Sequence, residues 1–210
     1  ANKGAANSLG ANKSLVIDGV LPTVSYVTST SVDDSYEMDD QLTINVIFTE
    51  VVTVTGTPQL TLETGTTDAV VNYTSGSGSN TLTFAYTVAA TDNAVDLDYT
   101  STSALAINDA TIIDAAGNAA TLTLASPGSE NSLGVNKALF VNGSVPTISS
   151  VSSNMTDGYY VEGDTLVITV NFIEEVIVTG IPRLTMDTGL PDIFADYYSG
   201  TTSSALAFRY

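Results

Sequence analysis

The chain has 210 residues, with 23 acidic residues, 5 basic residues, no histidine and no cysteine, and its formal net charge is −18. This charge repels nucleic acid and anionic membrane surfaces, and the lack of cysteine excludes disulfides and thiolate metal sites. A hydrophobic fraction of 43% argues against a disordered chain, and no apolar run is long enough for membrane insertion.

Alternation of apolar and polar residues predicts β-strands along the whole chain. Leu42, Ile44, Val46 and Phe48 share one side of a strand, and Leu82, Phe84 and Tyr86 share one side of another. The predicted strands, in chain order, are residues 23–28, 42–48, 51–54, 60–62, 69–73, 82–88, 104–107, 111–113, 119–124 and 136–141. No stretch has a convincing helical period.

Turn residues separate these strands, as at Thr64-Gly65 and Gly117-Asn118. Many short strands with one apolar face within a domain-sized stretch are typical of an antiparallel β-sandwich of immunoglobulin-like type. A closed barrel is the less favoured alternative. The predicted fold class is therefore all-β, with tandem immunoglobulin-like sandwich domains.

An internal repeat organises the chain. Residues 8–86 match residues 132–210 at a constant offset of 124 without gaps, and about half of the aligned positions are identical. A domain-sized period predicts an array of folded domains. We therefore predict three parts: residues 1–19 as the closing strand of a preceding repeat, 20–143 as a complete repeat, and 144–210 as the first part of the next repeat.

Several segments of the chain resemble a known family. They are the run from Tyr36 to Leu62, Ser75-Gly76-Ser77-Gly78, Asp96-Leu97-Asp98-Tyr99, Asp114-Ala115-Ala116-Gly117-Asn118 and Ser132-Leu133-Gly134. They are similar to the tandem immunoglobulin-like repeats of giant secreted bacterial surface proteins, a family that includes RTX-type adhesins and a cyanobacterial cell-surface motility protein. The resemblance implies an extracellular, cell-surface location, a stalk or filament, and calcium at domain junctions. It implies no enzymatic activity.

Acidic clusters on predicted loops are the one candidate for chemistry. Calcium takes six to eight oxygen ligands, and carboxylates without histidine or cysteine suit it better than zinc or copper. Asp33, Asp34, Asp39 and Asp40 precede the long apolar strand, and Asp96 and Asp98 follow the strand that ends at Val88. In a sandwich these two loops lie at the same end, so we expect the clusters to converge near a domain junction.

The second copy refines the choice of ligands. Asp33, Asp40 and Glu50 recur as Asp157, Asp164 and Glu174, whereas Asp34 and Asp39 become Gly158 and Gly163. We therefore rank Asp33, Asp40 and Glu50 first. The alternative is that all these acids are solvated loop residues that cap turns and keep the protein soluble.

Catalysis is not expected, since serine and cysteine nucleophile systems need a base that a chain without histidine lacks. The sequence thus predicts a structural module of a stalk or filament. Its partners would be neighbouring repeats or copies of the same chain, joined in one version by strand complementation between chains. The alternative is a module that binds a cell-surface glycan or protein. The gapless likeness of the two copies favours a spacer, because every unit of a spacer does the same work.

Overall fold

The computed structural model describes residues 4–5, 8–189 and 191–210. Strands account for 47% of the chain and helices for 4%, which confirms the all-β prediction. The chain divides into two compact units, residues 1–144 and 145–210. No described helix is both long enough and apolar enough to cross a membrane.

The first unit contains eleven strands and two short helices among the described residues. In chain order these are α1 (Leu9–Asn12), β1 (Val24–Ser29), β2 (Asp34–Glu37), β3 (Gln41–Thr55), β4 (Gln59–Glu63), β5 (Ala69–Ser75), β6 (Ser79–Thr87), β7 (Asn93–Ala94), β8 (Asp98–Tyr99), β9 (Leu105–Ala106), β10 (Thr111–Ile113), α2 (Leu133–Asn136) and β11 (Leu139–Asn142).

The larger sheet of this unit is built around β3. Its hydrogen-bonded order is β1-β3-β6-β5-β4-β8, with β10 also on β3 and β9 also on β4. All of these pairs are antiparallel. The predicted strands at 42–48 and 51–54 are one continuous strand, because the irregularity that separates their patterns is a bulge within β3.

A smaller sheet has the order β2-β11-β7. Here β11 pairs with β2 in parallel, with Leu139 opposite Asp34 and Val141 opposite Tyr36. The alternation of residues does not reveal strand direction, so the sequence had predicted only antiparallel pairing. Residues of both sheets, including Phe84 on β6 and Leu139 on β11, belong to one buried cluster.

The second unit has five strands: β12 (Ile148–Ser153), β13 (Val167–Val176), β14 (Arg183–Met186), β15 (Ile193–Ser199) and β16 (Ser203–Arg209). Their order, β12-β13-β16-β15-β14, repeats the order β1-β3-β6-β5-β4. The registers repeat as well, since Val24 opposite Phe48 corresponds to Ile148 opposite Phe172.

Local details recur at the same offset. Tyr73 packs edge-on against Phe84 with ring centroids 6.2 Å apart, and Tyr197 packs likewise against Phe208 at 6.1 Å. Gly76 has a φ of 114° and its counterpart Gly200 a φ of 113°. At each glycine an added Cβ would collide with a carbonyl oxygen of the next strand, so both turns require glycine.

Two predicted features differ from the structure. Residues 119–124 form only isolated bridges, Ala119 with Ile113 and Thr121 with Thr23, so this segment has no continuous partner strand. The helices α1 and α2 were missed because each spans four residues, fewer than two helical turns. Each begins after a serine whose hydroxyl accepts a hydrogen bond from the first turn.

The two units differ in how far the same positions are buried. Leu60 is fully buried, whereas its counterpart Leu184 is only half-buried. Tyr86 is buried, whereas Tyr210 is exposed. The sheet of the second unit therefore presents apolar side chains that the first unit covers with residues that follow β6.

This contrast yields a matched prediction for stability. We expect Leu60→Ala to lower the free energy of unfolding of the first unit by about 2–5 kcal/mol, because it leaves a cavity in a closed core. Leu184→Ala should cost the second unit less than half as much, since its side chain is already partly in water. Urea unfolding followed by circular dichroism measures both. Equal losses would contradict the difference in burial.

Candidate metal centre

Three carboxylates from distant parts of the sequence converge in the first unit. Asp18 lies in the segment before β1, Glu50 on β3 and Asp114 after β10, and one oxygen of each lies within 4.8 Å of the others. This cluster is the only described group of three or more acidic side chains that meets this distance. We call it the acidic triad.

Strand pairing explains why these residues meet. β10 pairs with the end of β3, with Ile113 opposite Thr53, so Asp114 emerges beside β3. The Thr49 N–H donates to the Thr23 carbonyl at 2.9 Å, which holds the start of β1 next to Glu50. The linker residue Asp18 is thereby brought back onto the body of the unit.

Asp114 is the buried member of the triad and forms the anchor of a tight loop. Its Oδ1 accepts hydrogen bonds from the backbone N–H groups of Ala116 and Asn118, both at 2.8 Å. Its Oδ2 accepts from the Asn118 side-chain amide, also at 2.8 Å. The same amide donates to the carbonyls of Asp18 at 3.3 Å and Val20 at 3.2 Å. Asn118 thus ties the linker to the loop.

The triad concentrates negative charge. Burial raises the pKa of Glu50, and the neighbouring Asp18 and Asp114 raise it further. Burial also acts to raise the pKa of Asp114, but hydrogen bonds from Asn118, Ala116 and Gly117 together hold it below its usual value. The described ion pairs, Lys137–Asp33 and Arg183–Asp196, involve other carboxylates, so neither neutralises the triad.

The donor set fits a hard divalent cation. Three carboxylates, with backbone carbonyls such as that of Asp18 close by, offer only oxygen ligands, and calcium accepts oxygen ligands with flexible geometry. Histidine and cysteine are absent from the chain, so the set does not suit zinc or copper. Carboxylates this close also occur in proteins without an ion, so calcium here remains a proposal.

Of the ten ligands predicted from the sequence, Glu50 is the one that lies in the triad. The acids before β3 have other contacts. Asp33 forms an ion pair with Lys137 at 2.6 Å, Asp34 accepts from the Ser35 N–H at 2.8 Å, and Asp40 accepts from the Glu37 N–H at 2.9 Å. Asp39 lies in the intervening turn with a φ of 71°. These contacts give the acids roles in turns and pairing.

The carboxylates of Asp96 and Asp98 both lie beside Gly134, where an added Cβ would come within 3.4 Å of each. Asp98 accepts from the N–H groups of Gly128 and Tyr99, each at 2.9 Å. Burial is the largest cause of the raised pKa of Asp96, and the charges of Asp98 and Asp33 raise it further. The Asp33 carboxylate thus lies near enough to raise the pKa of Asp96, and it forms an ion pair with Lys137.

The three predicted ligands of the second unit remain predictions too. Asp157 is exposed, and Asp164 accepts from the Val161 N–H at 2.8 Å, as Asp40 does in the first unit. Glu174, the counterpart of Glu50, has one oxygen, Oε1, that is shielded from solvent and has no hydrogen-bond partner among the described residues.

The sequence ranking did not place Asp18 and Asp114 together because they lie 96 positions apart in the chain. The sequence feature that could have pointed to Asp114 is the Asp114-Ala115-Ala116-Gly117-Asn118 loop, whose first and last residues hydrogen-bond each other. Asp92, which precedes Asp96 in the same loop, is buried. It accepts hydrogen bonds from the Tyr86 hydroxyl at 2.7 Å and the Ala89 N–H at 2.9 Å, which is a structural role.

Comparison with models of protein families, with curated proteins and with solved structures finds no match to this chain. The function therefore has to be argued from the residues and their geometry.

The charge of the triad predicts a pH dependence in a chelator-containing buffer. The pKa of Glu50 is raised in the folded state. Protonation of Glu50 therefore adds to the free energy of unfolding below the usual pKa of 4.5, and this contribution is lost as pH rises through the pKa of the folded state. Glu50→Gln should remove this decrease in stability, because glutamine stays uncharged as pH rises. We expect the variant to melt above the wild type at pH 7 and to show no such advantage at pH 4.

Thermal unfolding followed by circular dichroism measures the difference. Glu63→Gln, which removes an exposed acid of the same unit outside the triad, is the matched control and should show a smaller gain at pH 7. A Glu50→Gln variant less stable than the wild type at pH 7 in chelator would contradict the electrostatic argument.

Proposed function

We propose that this chain is a structural repeat module from the stalk or filament of a secreted bacterial cell-surface protein, built of tandem immunoglobulin-like β-sandwiches. The bacterial, extracellular setting comes from the family resemblance of the repeated segments. The spacer role comes from the geometry of the repeat.

The proposal rests on the observation that the structure repeats as well as the sequence. Strand order, register, the bulges beside Val24 and Ile148, the turn glycines and the aromatic pairs all recur at the same offset. A receptor site needs one surface that differs from its neighbours, whereas a spacer needs the same unit many times. This favours a spacer over a glycan- or protein-binding module.

The sandwich architecture is supported by the first unit. Its two sheets contribute to one core, with Phe84 and Tyr86 from the larger sheet and Leu139 and Val141 from the smaller sheet all buried together. Two sheets around a common core are the defining arrangement of β-sandwiches.

The second part of the proposal is that calcium stiffens the array. Asp18 belongs to the linker before β1, while Glu50 and Asp114 belong to the body of the unit. An ion held by all three would fix the linker against the unit and would also offset the repulsion among the carboxylates. The proline at position 22 further restricts this linker.

Calcium should therefore stabilise the first unit. Free calcium at one hundred times its dissociation constant would add about 2.7 kcal/mol to the free energy of unfolding, and the melting temperature should rise accordingly. Thermal unfolding of the full chain in excess calcium and in chelator measures the shift.

Glu50→Gln should abolish most of the calcium shift, and Glu63→Gln should retain it. No calcium shift in the wild type would overturn the calcium part of the proposal and leave packing and linker stiffness to hold the array straight.

The stalk role predicts how size scales with repeat number. For polypeptides of two, four and six copies of residues 18–141, each of which contains the whole acidic triad, the radius of gyration should grow nearly in proportion to copy number in calcium, as for a rod. In chelator, growth should weaken toward the square-root dependence of a flexible string. Small-angle X-ray scattering measures both series, and square-root growth in calcium would contradict a stiff stalk.

A further inference from the structure

Strands β14, β15 and β16 of the second unit have an inner side, which faces the apolar cluster, and an outer side. Leu184, Ala195 and Phe208 belong to the cluster. Because side chains alternate along a strand, the residues next to them point outward. We call the outer side the arginine face, and its members are Arg183 on β14, Phe194, Asp196 and Tyr198 on β15, and Arg209 on β16.

The exposure of the arginine face is a property of the repeat. In the first unit, whose core is closed, the corresponding outer residues are exposed as well, among them Val70, Asn72 and Ala85. The arginine face lies on the opposite side of the sheet from the apolar cluster. It is therefore accessible whether or not that cluster is covered.

Strand pairing places the two arginines of the chain in one row across the sheet. Arg183 lies opposite Asp196, and Asp196 lies opposite Arg209. Neighbouring strands are about 4.8 Å apart, so the two arginine backbones are separated by about 10 Å. The row holds two cations and one anion. Its charge is thus positive, in a chain whose formal net charge is −18.

Each guanidinium is stacked on a neighbouring aromatic ring. The Arg209 Cζ lies 3.7 Å from the centre of the Tyr198 ring, and the Arg183 Cζ lies 5.7 Å from that of Phe194. Stacking uses the flat side of a guanidinium and leaves the N–H groups at its edge available. The arginine side chains are therefore held in position with donors directed sideways.

The two arginines differ in how many of these donors are used. The Arg183 Nε donates to the Asp196 Oδ1 at 2.8 Å. Among the described residues Arg209 forms no ion pair. The aromatic rings beside them are also accessible, since Phe194 is 52% and Tyr198 54% exposed. Arginine and tyrosine are the residue types that contribute most at binding surfaces.

The first unit shows that the sheet does not need these residues. At the same positions it has Gln59, Asn72 and Ala85 in the row, with Val70 and Thr74 beside it. Gln59 lies opposite Asn72 just as Arg183 lies opposite Asp196, and its amide donates to the Asn72 Oδ1 at 2.9 Å. The same strand pairing thus forms with neutral residues, so the arginine face is a feature added to one copy.

We propose that the arginine face binds an anionic polysaccharide whose acidic groups are carboxylates. The guanidinium edges of Arg183 and Arg209 bind carboxylates along the polymer through charge-assisted N–H···O bonds. The rings of Phe194 and Tyr198 pack against the less polar faces of the sugar rings. This site is independent of the proposed spacer role, because a repeat can bear it on its outer side with no change in strand order.

Charge and shape favour such a partner. The arginine face is an open side of a sheet, which suits an extended polymer that repeats one acidic group and makes several weak contacts. Nucleic acid carries one charge for about every 3.4 Å of each strand, and the many acidic residues of the chain repel so dense an anion. A polymer of uronic acids has its carboxylates further apart, with a sugar ring beside each to meet the aromatic side chains.

Binding of the full chain is measured by fluorescence anisotropy of end-labelled oligogalacturonate, at neutral pH and in chelator so that calcium bridges are excluded. The methyl-esterified oligomer keeps the sugars without the charge, and polyglutamate keeps the carboxylates without the sugars. The wild type should bind oligogalacturonate about tenfold more tightly than either. Absence of binding, or equal or tighter binding of the ester, of polyglutamate or of single-stranded DNA, would overturn the proposal.

The first unit supplies matched substitutions. Arg183→Gln, Asp196→Asn and Arg209→Ala convert the row into that of the first unit, where these residue types already form the same pairing. The triple variant should fold like the wild type and bind about one hundredfold more weakly, because both charged donors are lost.

Lys13→Gln is the control for overall charge. It lowers the net charge by one, as the triple variant does, but at an exposed position outside the arginine face. Its affinity should stay within about twofold of the wild type. Equal weakening by Lys13→Gln and by the triple variant would reduce the effect to net charge and would overturn the site.

Arg209→Lys tests the stacked geometry. Lysine keeps the positive charge but has no planar group to stack on Tyr198 and no paired donors for a carboxylate, so binding should weaken about fivefold. Unchanged affinity of Arg209→Lys would contradict recognition by the stacked guanidinium.

The reverse exchange tests whether the five residues suffice. Added to the triple variant, Gln59→Arg, Val70→Phe, Asn72→Asp, Thr74→Tyr and Ala85→Arg rebuild the arginine face on the first unit. Binding should return to within about tenfold of the wild type. A chain that is folded by circular dichroism and still does not bind would show that these residues do not form the site.

None of these outcomes bears on the stalk proposal, which depends on the calcium shift and on how size scales with repeat number.

Discussion

The fold depends on covering the apolar face of β3. Leu42, Ile44, Val46 and Phe48 lie on this strand, and β1, β6 and β10 pair with its edges, so its apolar face must be covered by side chains from elsewhere. In the first unit the cover comes from residues that follow β6, above all Tyr99, Leu133 and Leu139. Among the residues that the structure describes, the sheet of the second unit has no such cover, and the same positions are half-exposed there.

Much of the fold could be predicted from the sequence because period-two alternation is a local property. The strands that alternate over several residues, such as those containing Leu42 to Phe48 and Leu82 to Tyr86, were predicted close to their observed positions. The two-residue strands β7 and β8 and the parallel partner β2 were not, because their pairing is decided by distant segments and leaves no pattern in so few residues. The acidic triad could not be predicted from the sequence for the same reason, since its members meet only through the pairing of β10 with β3.

Many of the carboxylates that give the chain its negative charge have a structural role. Asp40, Asp98, Asp114 and Asp164 all accept backbone N–H groups in turns, and Asp92 accepts a buried tyrosine hydroxyl. A carboxylate that accepts such bonds orders a loop without needing a basic partner, which suits a chain with only five basic residues. The acidic triad differs because its three charges face one another.

Asp18 lies beside Glu50 of β3, whereas the Gly143 N–H donates to the Asp92 carbonyl near the start of that strand. This separation along β3 has a mechanical consequence. Tension applied to the chain on either side of the first unit would run along the strands. The hydrogen bonds between β1 and β3 and between β2 and β11 lie across that direction, so they would be loaded in shear. Bonds loaded in shear must break together, whereas bonds at a peeled edge break one at a time. The first unit would therefore extend little under such a pull.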